Sequence, residues 1–356
     1  MINHLFPTTT VGSMPRPQYI KDMIEYQTIN NQTTQFQNTI DRIVPFIIEM
    51  QDQAGIDIIS DGEWRRKSYI GVIADICSGF ELTIRNVNGE NQTWHTVTSK
   101  MIPKNPGLFA REASTIKKYS KSAIKVALPS PYLIAERMWD KNLSSNIYPT
   151  RKDFTENLIP ILRQELIKLR DEGVSIAQFD DPHLCLFVDP KIRSKYKNPE
   201  LEIQYSIDVL NRIVEGIDGI KLALHLCRRN KGRSGWIAEG GYLPIIPFLN
   251  NLKFDMIMFE FTIPVAGDES VFLELDERFD IGLGCVDCRG EHIDTPEEIV
   301  SRVEKALQYV TPERITLHPD CGFAPGSAAD IPIDEAFSKI SNEVKASMIL
   351  RSKYQR

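Results

Sequence analysis

Eight short apolar runs, separated by segments of helical periodicity, constrain this chain more than any other feature. They are Thr8–Ser13, Asp57–Glu63, Ile124–Pro131, Ser175–Pro182, Lys221–Cys227, Met256–Phe261, Asp280–Asp287 and Arg314–Cys321. Apolar on consecutive rather than alternate positions, they suit strands buried on both faces of a parallel sheet. Between two of them, Phe154–Arg170 carries Leu158, Ile161, Leu162, Leu166 and Leu169 at helical spacing, with Gly173 just past its end. Further helices are expected at Thr34–Ala54, Pro199–Ile217, Pro296–Tyr309 and Ile333–Leu350. Such an alternation predicts an α/β chain folded as a (β/α)8 TIM barrel, a fold of typically ~250 residues. The 356 residues exceed that, and the surplus follows the second strand. There Gly79–Lys100 alternates in character around Asn88-Gly89, the pattern of a β-hairpin. We therefore expect one domain, residues 1–356, with an insertion at about 78–123. An open doubly wound sheet is the alternative, but no GxGxxG follows a strand.

Composition excludes several classes. A net charge of −6 and no dense basic run give no electrostatic case for nucleic acid. No stretch approaches the ~18 uninterrupted apolar residues of a membrane span. The opening MINHLFPTTTVGS lacks the basic-then-apolar pattern of a secretory signal. Six cysteines in a chain of this size then argue against a disulfide scaffold and for a cytoplasmic protein with reduced thiols. Nothing in the sequence fixes an oligomeric state.

The strand ends carry the chemistry. His225 and Cys227, two apart, share one face of a strand and can aim at one ion. Glu260 and Cys321 end two other strands, and the four supply the N, S and O donors of a tetrahedral zinc site. Each alone would read as a small or hydrogen-bonded core residue; together they read as ligands. Cys285-Val-Asp-Cys288 has C-x-x-C spacing but lacks a second pair and opens no helix, so we read it as packing. His4 and His95 read as structural or exposed, and His183 is undecided. Asp61/Glu63 and Asp180/Asp181 either pair with Arg65, Arg66 or other basic groups, or hold the ammonium of an amino-acid substrate. Arg65-Arg66 and Arg228-Arg229 face an anion or the outer surface.

The strings TTTVGSMPRP, DIISDGEWRR, IAQFDDP, HLC, FEF and HPDCGF, in this order, resemble the catalytic barrel of cobalamin-independent methionine synthase and its stand-alone relatives. The likeness spans nearly the whole chain and is weakest in the hairpin region. It implies a (β/α)8 barrel and zinc ligands His225, Cys227, Glu260 and Cys321. It further implies that Val11, Gly12 and Ser13 hold the carboxylate of homocysteine, and that Glu63 and Asp180 grip its amine. The family's folate-contacting glutamate is Leu186 here, and its N-W pair has no match in SPYLIAERMW. Its D-I-H proton donor reads Asp287-Cys288-Arg289, leaving His292 as a substitute.

A zinc site with two thiolates favours deprotonating a third thiol over activating water. The expected activity is therefore zinc-dependent methyl transfer to homocysteine, giving methionine. The expected donor is a methylated corrinoid, a simpler folate or another small methyl compound rather than a polyglutamylated folate. Alternatives are thiol addition to an epoxide, as in epoxyalkane:coenzyme M transferases, where Arg289 or Arg65 would meet the sulfonate, and a non-catalytic zinc or thiol binder.

Overall fold

In a computed structural model, residues 4–29, 33–66, 68–87, 90–324 and 331–354 are described. The strands, in chain order, are β1 (Ile58–Ile59), β2 (Cys77–Val87), β3 (Glu90–Pro103), β4 (Ala123–Pro129), β5 (Ile176–Asp180), β6 (Lys221–Leu226), β7 (Met256–Glu260), β8 (Asp280–Val286) and β9 (Ile315–Pro319). Seven form one sheet in the order β1-β4-β5-β6-β7-β8-β9, with every pairing parallel. The two others, β2 and β3, form the separate antiparallel hairpin expected after the second run. Its Asn88-Gly89 turn lies outside the described residues.

The two runs nearest the N-terminus give less strand than expected. Thr8–Ser13 is reduced to isolated parallel bridges, Thr8 to Leu317 and Thr9 to Ile58, which touch both edges of the sheet. Side chains add to the few backbone bonds there. Asp57 Oδ2 accepts from Thr8 N at 2.8 Å, and Thr9 Oγ1 donates to the Ile58 carbonyl at 2.8 Å. The Asp57–Glu63 run stops at Ile59 because the buried Gln51 amide satisfies both backbone groups of Ser60, at 3.2 and 2.8 Å. A side chain thus replaces the neighbouring strand.

The helices follow the periodicity. Arg151–Asp171 starts at a capping box formed by Thr150 and Asp153. Thr33–Ala54, Pro199–Val214, Pro296–Ala306 and Ile333–Tyr354 match the remaining expectations to within a few residues. Among the helices not foreseen, the longest are Gln18–Ile29, Leu108–Tyr119 and Pro131–Met138. Leu108–Tyr119 lies inside the segment assigned to the insertion and follows the hairpin, which ends at Pro103. Its buried stripe of Phe109, Glu112, Ala113 and Ile116 contains a charge, which hides the apolar pattern. The partner of that charge is the distant Arg66, bonded to Glu112 at 2.9 and 2.6 Å.

On the face of the sheet away from the helices, Ile58, Ile176, Ala223, Met256, Met258 and Val11 form a small apolar cluster of their own. Along each strand the same face recurs two residues on. Ile176 thus leads to Gln178 and Asp180, Ala223 to His225 and Cys227, and Met256 through Met258 to Glu260. An apolar floor rises into a polar end. Among the described residues no helix is long and apolar enough to cross a membrane.

Candidate active site

Parallel pairing of β5 with β6 sets Asp180 opposite His225. Asp180 Oδ1 lies 3.1 Å from His225 Nδ1 and accepts from Gln178 Nε2 at 2.7 Å. Its other oxygen accepts no hydrogen bond among the described residues. A carboxylate on one ring nitrogen fixes the ring, and the other nitrogen, 3.5 Å from the Asp320 carbonyl, is its remaining ligand position. His225, Cys227 and Cys321 are buried, and one donor atom of each lies within 4.8 Å of the others. A ring nitrogen and two sulfurs converging away from water are consistent with zinc.

Protonation within this trio is shared. The Cys321 thiol donates to Cys227 and holds it below the usual thiol range, against burial and with help from His225. That same hydrogen bond, with burial adding to it, pushes Cys321 well above the usual range. Burial alone would lower His225, but the Cys227 charge and the Asp180 hydrogen bond raise it to about 9. Negative charge on Cys227 and positive charge on His225 therefore favour each other, and metal binding would release protons from the trio.

Glu260, the fourth expected ligand, is fully buried but stands outside the trio. Its Oε2 accepts from Arg228 N at 2.8 Å and lies 3.4 Å from Arg228 Nη1, while Oε1 is ion-paired with Arg289. Arg289 also holds Asp320 at 3.0 Å. These pairings were not visible in the sequence, because the partners come from three separate strand ends.

A cavity of about 160 Å³ opens on the trio, and all the expected residues except Glu260 line it. The Ser13 hydroxyl and backbone N–H donate no hydrogen bond among the described residues. Two glycines allow the close approach. A Cβ on Gly12 would lie 2.5 Å from Glu63 Oε1, and one on Gly322 would strike Ser13 Oγ. Glu63 sits at φ 58°, a left-handed conformation, with its N–H on Asp61 Oδ1 at 2.9 Å. Burial raises its carboxyl to about 6, with the Arg66 charge opposing and the Asp180 charge adding.

Other candidates have structural partners. Asp181 accepts from Ser130, Ser206 and Leu184 N at 2.7, 3.1 and 2.9 Å. Arg65 pairs with Asp41 and Thr115, and Arg66 with Glu112. Cys285 and Cys288 are buried, and burial raises both thiols, Cys288 to about 12. His4 meets Asp57 at 3.1 Å. His292 is exposed against Glu298 at 2.9 Å and does not line the cavity, so it is not brought to the site as a proton donor. The wall contains four residues the sequence did not single out as one group: Tyr69, Arg137, Arg229 and Asn230. Only Arg229 carried a local signal, its pairing with Arg228. A larger cleft of about 790 Å³, bordered by Asp41, Arg65, Arg111 and Lys118, contains none of the trio.

Known proteins resemble this chain over nearly its whole length. The model of the family described as cobalamin-independent synthase, catalytic domain, matches residues 6–348. A protein of Sulfurisphaera tokodaii named methionine synthase is 28% identical over 360 aligned residues, covering 98% of this chain and 93% of that protein. One of the same name from Sulfolobus acidocaldarius is 27% identical, covering 99% and 94%. The fold resembles that of a B12-independent methionine synthase from Shewanella sp., solved in complex with selenomethionine, with a TM-score of 0.78 over 98% of both chains at 21% identity. The chain belongs to the cobalamin-independent methionine synthase catalytic-domain family of enzymes.

Proposed function

We propose that this protein is a zinc-dependent methyltransferase that methylates the thiol of homocysteine to give methionine. The observation that carries the reading is the buried trio of His225, Cys227 and Cys321 at the floor of a cavity walled by Ser13, Glu63 and Asp180. Zinc would be held by the trio, with Glu260 as the fourth donor, and when bound it would supply deprotonation of an incoming thiol at neutral pH. Sharing its charge with Arg228 and Arg289 makes Glu260 the weakest of the four donors.

The chain's own residues then position the acceptor. Its ammonium would meet the free oxygen of Asp180 and the carboxylate of Glu63. Its carboxylate would take the Ser13 hydroxyl and the backbone N–H groups at Gly12 and Ser13, amides with no competing acceptor among the described residues. Asp180 therefore has two duties, one oxygen for His225 and one for substrate. The buried walls keep water from a sulfur nucleophile.

We further propose that residues 1–356 form a single (β/α)8 barrel, closed where the Thr8–Thr9 segment meets β9 and β1. The reading extends to a cytoplasmic location and to a methyl donor other than polyglutamylated folate, a methylated corrinoid among the candidates. Addition of coenzyme M to an epoxide loses support, because Arg289 and Arg65 are both committed to carboxylates. The test is metal analysis followed by a methyl-donor screen with homocysteine. The expected result is one zinc per chain and methionine formed with at least one donor. Homocysteine binding without turnover on any donor would leave the non-catalytic binder instead.

A further inference from the structure

The cavity wall carries two cations beside the carboxylates already given a use: Arg137 and Arg229 line it together with Glu63 and Asp180. Neither guanidinium pairs with a carboxylate among the described residues, whereas Arg65, Arg66, Arg228 and Arg289 all do. Arg137 lies in the last turn of Pro131–Met138 and stacks on Trp94 of β3, 3.8 Å from the ring centroid. Its Nε is buried without a hydrogen-bond partner. Arg229 projects from the end of β6 at φ 61°, and is held there although that conformation is unfavourable for a side chain of its kind. Behind them His183 also carries a buried, unpartnered Nε2. Arg137 and Arg229 line the same cavity, and burial, with the Arg229 charge adding, lowers Arg137 to about 10. Like charges held together without a counterion are what an anion site needs.

The cavity itself is too small to take a bulky donor together with homocysteine. Its volume of about 160 Å³ is below the ~300–1,000 Å³ of sites that enclose drug-sized ligands. A donor must therefore present its methyl group inward and keep its remaining mass at the rim, where both arginines are half-buried. The acceptor's own carboxylate already has the donors at Ser13. We propose that Arg137 and Arg229, with Trp94 of the hairpin supporting Arg137, form an anion-binding site at the cavity rim for the methyl donor, which therefore carries a phosphate or a carboxylate. This rests on the alkyl-transfer reading for the identity of the ligand, but not for the existence of the anion site.

Calorimetric titration at low ionic strength with inorganic phosphate, acetate and L-homocysteine tests it. The wild type is expected to bind at least one of the two anions saturably, and the tighter of them tells phosphate from carboxylate. Arg137→Gln/Arg229→Gln should weaken that anion by about tenfold or more while changing homocysteine by no more than about twofold. Arg137→Lys/Arg229→Lys should keep most of the anion affinity, and with single Arg229→Gln it carries the test if the double glutamine variant does not fold. Anion binding equal in wild type and the glutamine variants, or absent in the wild type, overturns the proposal. So does a homocysteine loss that parallels the anion loss, which would give the arginines to the acceptor. If homocysteine fails to bind the wild type at all, the methyltransferase reading fails while the anion arm is still read independently.

Discussion

Cys227 and Cys321 differ from Cys285 and Cys288 in almost nothing but direction. All four are buried, and the second pair has the closer, more motif-like spacing. Yet the first pair shares a proton beside His225, with Cys227 held below the usual thiol range, while burial pushes both members of the second pair above it. Cys285 spends its sulfur on the His318 carbonyl at 3.8 Å, and Cys288 receives Asn230 at 3.5 Å. The same division separates Asp180 from Asp181 and Arg229 from Arg228. In each case one neighbour faces the cavity with bonding capacity to spare and the other is spent on the fold. Alternation along a strand end, rather than residue type, sorts chemistry from scaffolding.

The largest expected effect tests the cysteines. Cys321→Ser or Cys227→Ser should lower zinc affinity by more than about 10³-fold, because a thiolate donor is lost from a closed set. Cys288→Ser and Cys285→Ser should keep one metal per chain by elemental analysis. Metal loss in the second pair of variants with a normal melting curve would break the contrast.

The arginines come next. Arg228→Ala removes a guanidinium bonded to Gly240 O at 2.7 Å, to Tyr242 Oη at 2.9 Å and to Glu260. It should destabilise the protein by about 3–5 kcal/mol in denaturant titration. Arg229→Ala, which breaks no ion pair among the described residues, should stay within about 1 kcal/mol of wild type. A comparable loss in both would mean that Arg229 is as structural as its neighbour.

The aspartates separate the two roles most cleanly. Asp180→Ala should weaken zinc about 10–100-fold through the loosened His225 ring, and reduce homocysteine affinity with it. Asp181→Ala strands Ser130, Ser206 and the Leu184 N–H, and should lower stability by about 2–3 kcal/mol with little change in metal content. Measuring both readouts on both variants gives a crossed result if the contrast holds.

How much of this was legible in the sequence depends on the distance over which each feature is encoded. Buried parallel strands leave continuous apolar runs, so six of the eight were found within a residue or two. The runs at Thr8–Ser13 and Asp57–Glu63 were overestimated because Gln51 and Asp57 side chains replace strand partners, a substitution no local pattern records. The convergence of His225, Cys227 and Cys321 was legible because all three lie at or just past strand ends. The Arg289 bond to Glu260 was not, since it joins residues with no shared periodicity. Arg137 was hidden for the same reason: on its own helix it reads as a surface charge, and only the hairpin's Trp94 and the neighbouring Arg229 give it meaning.

The smallest effect concerns Glu63, the cavity-facing carboxylate whose burial works against the fold. Burial raises its carboxyl from the ordinary 4.5 to about 6, with Arg66 opposing and Asp180 adding. The folded state therefore prefers the protonated form more than the unfolded chain does. Its stabilising contribution is fully present below about 4.5 and is lost as pH rises through about 6. Above that range the ionised group costs about 2 kcal/mol. In metal-free protein, Glu63→Gln should melt within error of wild type at pH 4 and about 2–5 °C higher at pH 8. The same substitution should weaken homocysteine by about tenfold, since the neutral amide no longer matches an ammonium. A gain in stability coupled to a loss of binding is the signature of a group kept for ligand rather than fold. Asp181→Asn, whose carboxyl burial also raises to about 6, is the control. It loses an acceptor for Ser130, Ser206 or Leu184 N and should gain no stability at pH 8, and it should leave homocysteine affinity unchanged, because that side chain does not line the cavity.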